Sequence, residues 1–145
     1  MNPDVPFGTR LLGIDYGDRR IGLAVSDPTG TIATPAGHLV RRAGKRAPVA
    51  ALVRRAAELG ATGFVLGLPL DADGGEPPRA AEVRVVGAEL AKRTGFPVRY
   101  VDERFTTAIA LRAVQTVGGS TRGRKGDVDA LAAAVLLQHA LALPG

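Results

Sequence analysis

A change of rhythm between Val40 and Pro48 constrains this chain more than any other feature of its sequence. Before it, three short apolar runs follow one another with no room for a helix between them. Arg10 to Tyr16 (RLLGIDY) ends at Gly17, and Asp18-Arg19-Arg20 makes a tight polar turn. Ile21 to Val25 is the second run. It ends at Asp27-Pro28-Thr29-Gly30, where proline fixes φ and glycine closes the bend. Thr31 to Val40 is a third extended stretch, interrupted at Pro35. Short runs with tight connections predict an antiparallel meander. After the change, helical and extended patterns alternate. Val49, Leu52, Val53 and Ala56 recur at helical spacing, and Gly60 stops that helix. Gly63 to Leu68 is continuously apolar, as a buried parallel strand is. Pro77 and Pro78 open a second helix with Val83, Val86 and Leu90 on one face and Gly95 at its end. Pro97 to Val101 reads as a further strand and Phe105 to Val117 as a helix. Gly118 to Gly126 (GGSTRGRKG) reads as a basic flexible loop, and Asp127 to Leu143 as a last helix rich in Ala and Leu. The order β-β-β-α-β-α-β-α-α predicts an α/β fold, with a mixed sheet covered by helices on both faces.

The 145 residues suit one domain spanning 10–145, with 1–9 as a loose arm. With aromatics at 4% and no Trp, the core must be built from Ala, Val and Leu. The absence of Cys excludes disulfides and thiolate metal sites, and two histidines argue against a His-rich zinc site. A metal here would be held by carboxylates, whose hard oxygens favour Mg²⁺ or Mn²⁺. No apolar run reaches the ~18 residues of a membrane span, and the start lacks a signal-peptide stretch. The expectation is a cytoplasmic protein with no membrane partner. A net charge of +5 favours an anionic partner, nucleic acid being the commonest. A GC-rich genome gives the same arginine content, so charge alone leaves both readings open.

Three acidic positions stand out. Asp15 interrupts an apolar strand, where a carboxylate is costly unless it is paired or binds a cation. The following Gly17 suggests open space beside it. Asp102 and Glu103 lie just past a predicted parallel strand, where ligands of open α/β sheets bind. They point to opposite sides if the strand persists, so one of them at most faces a site. Asp127 is a natural N-cap for the last helix, and Asp129 sits in its first turn, where the dipole favours an acid. Ala132 and Ala133 put small side chains on the face of Asp129, so the helix can pack close to the sheet. Asp71-Ala72-Asp73-Gly74-Gly75 fails the spacing of a calcium loop and reads as a turn with solvated acids. Basic residues cluster at Arg41, Arg42, Lys45 and Arg46, and again at Arg122, Arg124 and Lys125. The second cluster precedes Asp129 on a glycine-rich loop and, with Arg104, is a candidate phosphate grip.

Singly these signals are weak, but their order and spacing are specific. GIDYG, then GLPL with DADG, then VDERFTT, then VDALAA, from Leu11 to Leu141, closely resembles the YqgF/RuvX family of pre-16S rRNA nucleases and Holliday junction resolvases. The resemblance implies an RNase H-like fold: a five-stranded mixed sheet, strands one to three antiparallel, flanked by helices. It implies Asp15, Glu103 and Asp129 as catalytic, metal-holding acids, with Glu103 preferred to Asp102 and Asp129 to Asp127. It also implies hydrolysis of phosphodiester bonds with Mg²⁺ or Mn²⁺. The first expectation is processing of the 5′ end of precursor 16S rRNA in ribosome biogenesis, with structured RNA as partner. The alternative is resolution of four-way DNA junctions in recombination and repair, which needs two cuts and hence a two-fold dimer. The sequence leaves monomer or homodimer open. A non-catalytic nucleic-acid-binding module would be expected to lack one of the acids. GIDYG also resembles the phosphate strand of actin-like phosphotransferases, but those need two related halves to form their cleft.

Overall fold

A computed structural model of the chain describes residues 9–41, 46–105 and 125–143. Three antiparallel strands come first: β1 (Arg10–Tyr16), β2 (Arg20–Ser26) and β3 (Ala33–Val40). Helix α1 (Val49–Leu59) follows, then β4 (Ala61–Leu68), α2 (Pro78–Thr94) and β5 (Val98–Asp102). A short 3-10 turn, Glu103–Phe105, leaves β5, and α3 (Lys125–Ala142) is the last element. The sheet order is β3-β2-β1-β4-β5, with β4 parallel to both β1 and β5. β1 is therefore central, antiparallel to one neighbour and parallel to the other.

Alternation along the strands divides the core in two. Leu12, Ile14 and Tyr16 of β1, with Phe64, Leu66 and Leu68 of β4, face α1 and α2. Those helices bury the residues their spacing selected, Leu52 and Ala56 on one and Val83, Val86 and Leu90 on the other. Burying each Leu or Val is worth about 1.5–3 kcal/mol. Both helices end as their sequences predict, at Gly60 and Gly95, which adopt the left-handed conformation with φ of 72° and 74°. On the opposite face Leu11, Val65 and Val101 pack against Ala132, Ala133, Leu136 and Leu137 of α3.

Three expectations need revision or lie elsewhere. The last helix begins at Lys125, two residues before the expected Asp127 cap, so Asp127 lies in its first turn. A first-turn N–H has no intrahelical partner in any case, so Gly126 costs little there. The expected helix over 105–117 and most of the basic loop over 118–126 lie outside the described residues. Gly17 does not open space beside Asp15. A Cβ there would lie 2.5 Å from the Arg20 carbonyl oxygen, and the Gly17 N–H donates to that same oxygen at 3.1 Å. The glycine closes the β1–β2 turn.

Candidate active site

Asp15 is 2% exposed on β1, on the face that meets α3. Its antiparallel partner is Gly22, and β1 runs beside β4 with Ile14 opposite Leu66. One step further along, Gly67 lies alongside Asp15. The row Gly22–Asp15–Gly67 thus crosses three strands and carries one side chain between two gaps. Both gaps are filled from above. A Cβ on Gly22 would collide with the Asp129 carbonyl oxygen, so α3 sits directly on β2 there, one turn in from its start. A Cβ on Gly67 would collide with Leu136 of α3 and lie 2.7 Å from Glu103 Oε1. Gly13 repeats the device under the middle of the helix, where a Cβ would lie 2.8 Å from Leu137 Cβ. Close approach of this kind is a recurrent reason for glycine inside a strand.

The Glu103 side chain reaches the Gly67 end of this row, and the Asp129 backbone carbonyl reaches the Gly22 end. Glu103 is 5% exposed, at the start of the 3-10 turn, where β5 has just ended alongside β4. Asp129 is brought over β2 by α3, and its carboxylate stands 3.5 Å from Arg20 Nε. Among the described residues, no group of three or more His, Cys, Asp or Glu side chains is placed so as to hold a metal ion. The donor chemistry nonetheless suits a hard divalent cation, because the candidate ligands are all carboxylates.

Asp102 takes no part in the row. The Arg104 guanidinium holds its carboxyl below the usual carboxylate range, through bonds of 2.7 and 3.1 Å, and the Arg104 backbone N–H adds another at 2.9 Å. The remaining arm of Arg104 donates to the carbonyls of Asp71 and Ala72, both at 3.0 Å. Arg104 thus ties the acidic β4–α2 loop to the turn that carries Glu103. That loop is the turn its sequence suggests, with Gly75 N–H donating to Asp73 and Gly74 N–H to the Asp71 carbonyl. Lys125 opens α3; its side chain, with Arg122 and Arg124, lies outside the described residues.

A cavity of about 370 Å³ opens beside Glu103, at the carboxyl ends of β1 and β4. It is lined by Tyr16, Gly17, Asp18, Pro69, Arg79 and Glu103. Two arginines that the sequence did not single out as ligands brace its rim. Arg79 donates to the Tyr16 carbonyl at 3.2 Å and pairs with Asp18. Arg41 donates to the Gly17 carbonyl at 3.0 Å, and its guanidinium lies 4.3 Å over the Tyr16 ring. Burial pushes the Tyr16 hydroxyl pKa upward against the opposing pull of Arg41. Ala132 and Ala133 were the sequence signal for the close approach of α3, and both are buried against the sheet; the in-strand glycines beneath them are a second signal that went unread. Nothing local marks an arginine that reaches a carbonyl many residues away.

A family profile named RuvX and described as Holliday junction resolvase matches residues 9–143. A relative from Nocardioides sp., named "Putative pre-16S rRNA nuclease", is 43% identical over 92% of this chain and 87% of its own length. One of the same name from Paramagnetospirillum magneticum is 41% identical over 91% and 84%. Among solved structures, RuvC of Thermus thermophilus aligns with a TM-score of 0.54 at 15% identity, covering 92% of this chain and 94% of that one. RuvC from the same source in complex with a Holliday junction substrate aligns at 0.53 and 16%, covering 92% and 93%. At such identity the likeness concerns the fold, which is RNase H-like, as the order β3-β2-β1-β4-β5 with an antiparallel first half anticipates.

Proposed function

The chain belongs to the RuvX family, and from that premise we propose that it is a metal-dependent endonuclease that hydrolyses phosphodiester bonds, first of all at the 5′ end of precursor 16S rRNA. The observation that carries the reading is the row Gly22–Asp15–Gly67, with the Glu103 side chain at one end and the backbone of Asp129 seated on the other. Asp15, Glu103 and Asp129 would hold Mg²⁺ or Mn²⁺. The chemistry a bound ion would supply there is a lowered pKa for a coordinated water and neutralisation of charge on the leaving oxygen. The protein's share is positional. Asp15 stands on the central strand, whose backbone is fixed from both sides. Glu103 is held by the turn that Arg104 ties down, and Asp129 by a helix seated on glycine. No protein nucleophile is required, consistent with a chain without Cys. Arg122, Arg124 and Lys125 are the proposed phosphate grip. Arg104 would join them only by exchanging its present partners. The nucleic acid is taken as structured RNA, and the protein as acting in the cytoplasm.

A second reading, resolution of four-way DNA junctions, is favoured by the family description and by the fold shared with RuvC. It would require a homodimer. Both substrates should be offered to purified protein with Mg²⁺ and with chelator. Precursor rRNA should be cut at its 5′ side only with the metal, and Asp15→Asn should abolish cutting while leaving the circular dichroism spectrum unchanged. Cleavage of the junction alone would reverse the order of the two readings. An active Asp15→Asn protein would remove the site, and affinity without nicking by either form would favour a binding module.

A further inference from the structure

The cavity beside Glu103 has a feature that the acid row does not need: a cation at its rim. Arg79 sits at the second position of α2, partly exposed, and reaches across to the β1–β2 turn. Its two partners differ in kind. The bond to the Tyr16 carbonyl is to a strand end buried in the core, and it fixes where the side chain lies. Its partner carboxylate, Asp18, is 80% exposed. An ion pair with so exposed a partner is worth little, and another anion can replace it at small cost. The volume, about 370 Å³, falls in the range of small-ligand sites and is bounded by Pro69 and the backbone of Gly17.

We propose that this cavity receives the nucleotide next to the cleaved phosphodiester, with Arg79 exchanging Asp18 for that nucleotide's phosphate. The proposal rests on the nuclease reading and names a substrate subsite within it. Glu103 lines the same cavity, so a phosphate held by Arg79 shares a cavity with one of the proposed catalytic acids. Asp18 occupies the Arg79 guanidinium until a phosphate displaces it. Arg79 is thereby a binding residue, distinct from the acids that would carry the chemistry.

The test measures binding separately from cutting. A fluorescein-labelled single-stranded RNA taken from the 5′ flank of 16S rRNA is titrated against the full chain without metal, across a series of KCl concentrations. Arg79→Gln should weaken binding about tenfold, as expected for one lost charged contact. It should also flatten the slope of log affinity against log salt by ~0.7, the share of one phosphate on a single strand. Asp18→Asn, which removes the competing anion and leaves Arg79 in place, should tighten binding. An Arg79→Gln protein with unchanged slope overturns the subsite, as does an Asp18→Asn protein that binds more weakly. Either result can stand beside intact metal-dependent cleavage, in which case the nuclease reading survives. Absence of cleavage with the expected salt slopes would instead leave the subsite and sink the nuclease.

Discussion

Asp27 lies away from the acid row, yet it shows how one side chain can hold a connection of the meander. Its carboxylate accepts the N–H groups of Thr31 at 2.8 Å and Ile32 at 2.9 Å, and the Thr29 hydroxyl. These bonds, led by that of Ile32, lower its pKa from 3.8 to about 2. Because the folded value is the lower one, the contribution to stability is complete above pH 3.8 and is lost as pH falls through about 2. Asp27→Asn should therefore unfold at lower urea than wild type at neutral pH, and the gap should close as pH approaches 2. A gap that does not change with pH would assign the effect to shape instead of charge. Gly22 makes the opposite kind of contribution, by having no side chain. Gly22→Ala forces a Cβ against the Asp129 carbonyl, so α3 must lift. Overpacking of that sort costs ~1–3 kcal/mol. Calorimetry should show the loss, together with weaker cleavage, since Asp129 moves with the helix.

At the scale of elements, α3 acts as a lid fastened at several points. Gln138 accepts the Ala33 N–H at 3.0 Å and donates to the Thr31 carbonyl at 2.8 Å, so one side chain bonds the strand edge as a neighbouring strand would. Arg99 of β5 donates to the Ala140 carbonyl near the helix end at 3.2 Å. Gln138→Leu keeps the volume and removes both bonds. With water able to replace them at an exposed position, the cost should be about 1 kcal/mol. Amide exchange should quicken in α3 and in the β2–β3 turn together; quickening in the turn alone would deny the coupling. Elements of this kind were largely legible in the sequence. β1 spans the residues its apolar run marks, and Gly60 and Gly95 end their helices, because strand alternation and glycine stops are local signals. The start of α3 was read two residues late, since an N-cap residue and a first-turn acid look alike without coordinates. The braces by Arg41, Arg79 and Arg104 were invisible. Each reaches at least one backbone carbonyl, a group that every residue has, so no residue type marks that destination.

At the scale of the whole molecule, a bound metal would couple stability to ligand. If Asp15, Glu103 and Asp129 hold a divalent cation, the folded form binds it and the unfolded chain does not. Mg²⁺ at ~100 times its dissociation constant should then stabilise the fold by about 2.7 kcal/mol. The midpoint of thermal unfolding should rise with Mg²⁺ for wild type and stay nearly flat for Asp15→Asn. Equal responses would place the metal elsewhere. The order in which the pieces of the site are synthesised adds a consequence. Asp15 belongs to the first strand, Glu103 follows the fifth, and Asp129 rides on the last helix of the sheet's second face. A growing polypeptide still lacking α3 therefore has an exposed sheet face and an incomplete acid row. For an enzyme whose proposed target is made of the same RNA as the machine translating it, completeness is a form of safety. The cutting edge would be assembled only when the final helix has left the ribosome and docked.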